Sequence, residues 1–235
     1  MSHLTHPSAD GSRRSFLRTS MAGAALAGAG AVLATPSEAE AAPGVLPNLY
    51  PGWNSRNFHE LFADEIAHSQ IIQSLLNDPD NTVVPKFRPF PNFKNLLQPT
   101  QLAFAQTAAA IENTGVGVYI GVLQAVRTPS MGGEYFETAA AIATIEGRHT
   151  GYLNTLLNMS VVPGGVPVDA PIDQNTALSR IAPFIQDFNG GPPILPFSPT
   201  PTGDEANDFK ILDFLLVLEM LESVFYWQNV VRFFS

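Results

Sequence analysis

Two Glu-x-x-His pairs constrain this chain more than any other feature. They are Glu65 with His68 and Glu146 with His149, and each lies in the middle of an apolar stripe with helical spacing. Residues i and i+3 share one helix face, so each pair aims a carboxylate and an imidazole in the same direction. Two further stripes each carry a glutamate at similar depth, Glu112 and Glu219. A lone ionised carboxylate in a core costs several kcal/mol or more. Four that converge with no lysine or arginine on the stripes have no organic counter-charge. Two bound cations resolve the conflict, and four carboxylates with two imidazoles form a ligand set for a two-metal helix bundle.

The stripes define four expected helices. The first spans about 57–77, with Phe58, Leu61, Phe62, Ile72, Leu75 and Leu76 on the face of Glu65 and His68. The second spans about 100–126, with Leu102, Ala105, Ala109, Val116 and Leu123 beside Glu112, and Pro99 just ahead of it. The third spans about 133–158, with Phe136, Ala140, Ala143, Leu153 and Leu156. The fourth spans about 204–233, with Phe209, Leu212, Leu216 and Val230 around Glu219. Strand alternation is absent, and the nearest candidate, 161–168, is broken by Pro and Gly. The expected fold is all-α.

Connection lengths set the topology. Pro79, Pro85, Pro89 and Pro91 fall in the link before helix two, and only a short turn at Pro129-Ser130 separates helices two and three. A 25-residue helix is about 37 Å long, and 20 extended residues reach roughly 65 Å. The first link therefore crosses the bundle end to end, which makes helices one and two parallel. Residues 158–203, dense in Pro and Gly, form a wrap over the outside. Ile181, Phe184, Ile185 and Phe188 within it are spaced for one short helix.

An internal repeat accompanies the ligands. Tyr119 follows Glu112, and Tyr226 follows Glu219, by seven residues. Two turns keep each tyrosine on its glutamate's face, and the order Glu-x-x-His helix, Glu-x6-Tyr helix occurs twice. Approximate two-fold symmetry is expected, with the cations near the axis. Tyr119 and Tyr226 are read as core residues with a satisfied hydroxyl, the alternative being supports behind the ligands or sites of a radical. Glu222, three residues after Glu219, either hydrogen-bonds a ligating histidine or takes Glu219's place. His59 and Glu60 are read as surface residues, and Asp64 as lying off the inner face. The aromatic end, Phe225 to Phe234, is core or an oligomer contact.

The N-terminus has the order of an export signal. Ser12-Arg13-Arg14-Ser15-Phe16-Leu17-Arg18 precedes an apolar run from Met21 to Ala34, followed by Ala39-Glu40-Ala41. The paired arginines resemble a twin-arginine signal over residues 1–42, leaving 43–235 as the mature domain. That implies passage through twin-arginine machinery to a periplasmic or secreted location. The chain has 12 Lys and Arg against 21 Asp and Glu, a net charge of −9. An acidic chain with no basic stripe does not suit nucleic acid. With no cysteine, disulfides and thiolate metal sites are excluded.

The chain resembles the bacterial ferritin-like domain family that includes desiccation-related proteins. Ile-Glu-Asn-Thr-Gly-Val-Gly-Val-Tyr at 111–119 and Ala-Thr-Ile-Glu-Gly-Arg-His at 143–149 carry much of the likeness. Asp-Glu-Ile-Ala-His at 64–68 looks like the core of that family's second helix. Asp-Phe-Leu-Leu-Val-Leu-Glu-Met-Leu-Glu-Ser-Val-Phe-Tyr at 213–226 looks like its first, here placed last. The resemblance implies a circularly permuted ferritin-like four-helix bundle. It implies Glu219, Glu65, His68, Glu112, Glu146 and His149 as ligands of two iron or manganese ions. Oxygen- or peroxide-linked redox chemistry follows from such a centre. The alternative is a stress- or desiccation-associated binding protein whose metal site is structural or vestigial. A homo-oligomer is compatible with either.

Overall fold

The computed structural model describes residues 45–77 and 88–235. The proposed export segment lies outside the described residues. Among these, four long helices appear: α1 (Trp53–Leu76), α2 (Gln101–Leu123), α3 (Phe136–Leu156) and α5 (Glu205–Phe234). A short helix, α4 (Gln174–Ile181), sits in the long connection. No described helix is long and apolar enough to cross a membrane.

Helix starts follow local chemistry. The Thr100 side chain accepts from the Ala103 N–H at 3.1 Å, Asp173 from Thr176 at 2.9 Å and Asp204 from Ala206 at 2.9 Å. Helix α1 begins a turn earlier than the periodicity suggests. Asn54 accounts for this: its amide donates to the Pro47 carbonyl at 2.8 Å, and its oxygen accepts from the Tyr152 hydroxyl at 3.1 Å. These tertiary contacts leave no periodic trace.

Side-chain pairing sets the directions. Ser55 meets the Phe234 carbonyl, and Ser223 meets that of Glu65, so α1 and α5 are antiparallel. Tyr152 packs on Trp53 and Phe58, while His68 lies beside Glu146, so α1 and α3 are antiparallel too. Phe58 packs on Phe104 with centroids 4.8 Å apart, near the starts of both helices, and α1 runs parallel to α2. The most extensive contacts are within two antiparallel pairs, α1 with α5 and α2 with α3. This is a ferritin-like helix-bundle arrangement.

The long connection lies across α2 and α5. The Ile172 N–H donates to the Gly117 carbonyl at 2.8 Å. A Cβ on Gly117 would come within 2.5 Å of the Ile172 side chain, and one on Gly121 within 2.5 Å of its carbonyl oxygen. These glycines form the groove that seats the strap. Farther along, Phe197 packs on Phe214 of α5 at 5.6 Å.

Two expectations are corrected here. The residues 181–188 do not form one helix: α4 ends at Ile181, a 3-10 turn follows at Ala182–Phe184, and Ile185–Asp187 is extended. Pro183 has no N–H and collides with a preceding helical turn, which stops the helix. Strand also occurs, since Ile185–Asp187 (β2) pairs antiparallel with Asn92–Phe93 (β1). Ladders of two and three residues are too short for alternation to reveal them.

Candidate two-metal centre

Glu65 and His68 come from α1, Glu112 from α2, Glu146 and His149 from α3, and Glu219 from α5. All six are buried, none more than 5% exposed. Their ligand atoms form two overlapping groups, each within 4.8 Å: Glu65, Glu112, Glu146 and His149, and Glu65, His68, Glu146 and Glu219. Glu65 and Glu146 belong to both. Carboxylates shared between two cations would have that placement, while each remaining glutamate falls in one group with one histidine.

Individual atoms agree with the division. The His68 Nδ1 lies 3.2 Å from Glu146 Oε1 and 3.4 Å from Glu219 Oε2. His149 Nδ1 lies 2.9 Å from Glu65 Oε1 and 3.3 Å from Glu112 Oε2. Both Glu146 oxygens, Glu65 Oε1, Glu112 Oε2, Glu219 Oε2 and His149 Nδ1 are buried without a hydrogen bond. Orphaned buried acceptors of this kind are rare. Six that converge fit cations as their missing partners.

Each tyrosine serves the glutamate of the opposite helix. Tyr119 donates to Glu219 Oε1, and Tyr226 donates to Glu112 Oε1 at 2.5 Å. The repeat thus has a structural meaning, since the seven-residue spacing places each hydroxyl across the α2–α5 seam. One oxygen of each terminal carboxylate is occupied, and the other faces the cluster. Burial and the charges of Glu219 and Glu112, respectively, raise both phenols well above their ordinary range, so they remain donors.

Without cations, protons balance the charge. Burial opposes ionisation of His149, but Glu112 and Glu65 raise it to about 12. His68 also rises far above its ordinary value, as Glu146, Glu219 and Glu65 outweigh burial. Burial pushes Glu65 up, yet the two imidazoles beside it bring it down to about 2. Burial, then repulsion from Glu65 and Glu112, hold Glu146 well above the carboxylate range, and burial lifts Glu219 to about 7.

Two residues differ from the sequence reading. Glu222 neither replaces Glu219 nor hydrogen-bonds a histidine among the described residues. Its carboxylate is buried beside Glu146, facing the gap left by Gly115, and burial with that neighbour's charge raises its pKa. Asp64 was expected off the inner face, and its side chain is indeed 41% exposed, yet Oδ2 lies 3.1 Å from His149 Nε2. The available signal was its place just before Glu65, which turns it toward the neighbouring helix. His59 is exposed, and Phe225 and Tyr226 are core while Trp227 is 56% exposed.

The family model described as Ferritin-like domain matches residues 16–159. No curated protein and no solved structure matches the chain.

Proposed function

Since the chain belongs to the ferritin-like domain family, whose model matches more than half of it, we propose that it holds two iron or manganese ions and performs oxygen- or peroxide-linked redox chemistry. The observation that carries this reading is the pair of overlapping ligand groups sharing Glu65 and Glu146. Carboxylate-rich sets with imidazole suit iron and manganese more than soft metals. Bound there, the ions would supply electrons to, or take them from, a small oxygen species. Glu65 and Glu146, which belong to both groups, would help to hold both ions, Glu112 with His149 and Glu219 with His68 would each help to hold one, and Tyr119 and Tyr226 would keep the carboxylates of Glu219 and Glu112 in a fixed orientation.

The precursor is proposed to carry a twin-arginine signal over 1–42 and to act in the periplasm or outside the cell, on the strength of Arg13-Arg14 before the apolar run. We also propose circular permutation. The family match stops at 159, before α5, although α5 supplies Glu219 and Tyr226. A linear model whose first helix has moved to the C-terminus has only the apolar run after residue 16 to occupy that helix. Replacing Arg13 and Arg14 by lysine should retain the precursor in the cytoplasm, and normal export would refute the signal.

A second reading has its own support. All six ligands are buried to 5% or less, as in a sealed structural site, and this suits a stress-associated binding protein stabilised by its metals. The experiment is metal content per chain after expression with iron and manganese supplied, for wild type and Glu146→Ala, followed by peroxide consumption. Two ions with turnover support redox chemistry. Two ions without turnover, but with a large gain in melting temperature, support the structural reading. Wild type that binds neither metal removes both.

A further inference from the structure

The pseudo-two-fold axis exchanges Glu65 with Glu146, His68 with His149, Glu112 with Glu219 and Tyr119 with Tyr226. It fails behind the histidines. Asp64 precedes Glu65, but the matching position before Glu146 is Ile145. Both residues are half-buried at the same place on their helices. Asp64 Oδ2 reaches His149 Nε2 at 3.1 Å. An isoleucine offers His68 Nε2 nothing, and among the described residues no group hydrogen-bonds that nitrogen.

We propose that the two cation positions are unequal, and that the one built on His149 and Glu112 binds its ion more tightly and fills before the one built on His68 and Glu219, because Asp64 positions His149. This rests on the two-metal reading above. A neutral imidazole has two tautomers, and a ligand must present a lone pair at the nitrogen that faces the metal. For both histidines that nitrogen is Nδ1, which faces the glutamates. Asp64, accepting from His149 Nε2–H, selects the required tautomer, fixes the ring and raises the basicity of Nδ1. Among the described residues, His68 has no such partner to bring it to the same state. Hydrogen bonds of this type typically change metal affinity about 10–100-fold, and the partial exposure of Asp64 places it toward the lower end. The other break in symmetry, Glu222 opposite Gly115, does not discriminate in the same way. Its carboxylate lies with that of the shared ligand Glu146 at the gap left by Gly115.

The test is manganese(II) titration of the full metal-free chain, counting free ion by electron paramagnetic resonance. Repulsion between two bound cations separates the binding steps by itself, so the diagnostic is which step a variant moves. In Asp64→Asn the first step should weaken by about tenfold, with the second nearly unchanged. Ile145→Asp, which gives His68 the missing partner, should strengthen the second step and narrow the gap. If Asp64→Asn leaves the first step intact and weakens only the second, or weakens both alike, the inference is overturned while the two-metal reading stands. Should wild type bind neither manganese nor iron, the two-metal reading fails and takes this inference with it.

Discussion

The bundle has an aromatic end and a carboxylate middle, and the two are built on opposite physical terms. At the end, Phe58, Phe104, Phe225 and Phe234 are contributed by α1, α2 and α5, with centroids 4.8–6.3 Å apart. Every group there gains by leaving water. One to two turns away, Glu65, Glu112, Glu146, Glu219 and Glu222 share a dry space with two histidines. Groups there lose hydration and repel one another until protons or cations intervene. A stable end thus offsets the cost of a middle in which buried carboxylates crowd together.

The largest effect should come from the end. Phe104→Ala should lower stability by about 3–5 kcal/mol in chemical denaturation, by a similar amount with and without metal. A loss that appears only in metal-free protein would mean that the two regions are energetically coupled.

Protons and cations should compete in the middle. With His149 raised to about 12 and His68 also raised, both rings are protonated at pH 7 in metal-free protein and must lose those protons to ligate. Affinity should therefore fall as pH falls, by about 1.4 kcal/mol per proton per pH unit: about 2.7 kcal/mol between pH 7 and 6 for the two rings, to which the proton of Glu146 adds. Titrations in buffers of different ionisation enthalpy will count the protons, and release of fewer than two would refute the charge assignment.

Asp213 provides a buried carboxylate outside the cluster. Burial outweighs the influence of Arg88 and raises it from the usual 3.8 to about 6. The folded form then holds its proton over a window in which the unfolded chain has lost it, so stability falls as pH rises from about 4 to 6. Asp213→Asn should be near neutral below pH 4 and more stable than wild type by about 2 kcal/mol above pH 6. Equal melting temperatures at pH 7 would contradict this.

The smallest effect is expected at Glu146. Its carboxyl is protonated in the metal-free protein, and glutamine has nearly the same shape as that form. Glu146→Gln should change metal-free stability by less than about 0.5 kcal/mol while weakening the binding of both ions, since Glu146 belongs to both ligand groups. Strong destabilisation without metal would show that its charge, not its proton, is what the fold holds.

Much of the site was legible because its signal is local. Two Glu-x-x-His pairs and two Glu-x6-Tyr pairs lie within single helices, where periodicity alone places them on one face. Link lengths made α1 parallel to α2 for an equally simple reason, the reach of an extended chain. Other features depend on what lies across a helix pair. Nothing near Asp64 in sequence indicates that His149 is its partner, and nothing near Gly117 or Gly121 names Ile172. The apolar spacing of 181–188 suggested a helix there, and it is Pro183 that keeps α4 from continuing past Ile181.

The sequence by itself determined the helices, the depth of each glutamate and the need for counter-charge, since burial of an acidic residue on an apolar stripe follows from the stripe. Only the tertiary structure decided which carboxylates are shared between the two groups, which tyrosine serves which glutamate and which histidine has a partner behind it. Those choices depend on distances between atoms from different helices, and a hydrogen bond is decided within tenths of an ångström, far finer than any residue spacing can specify.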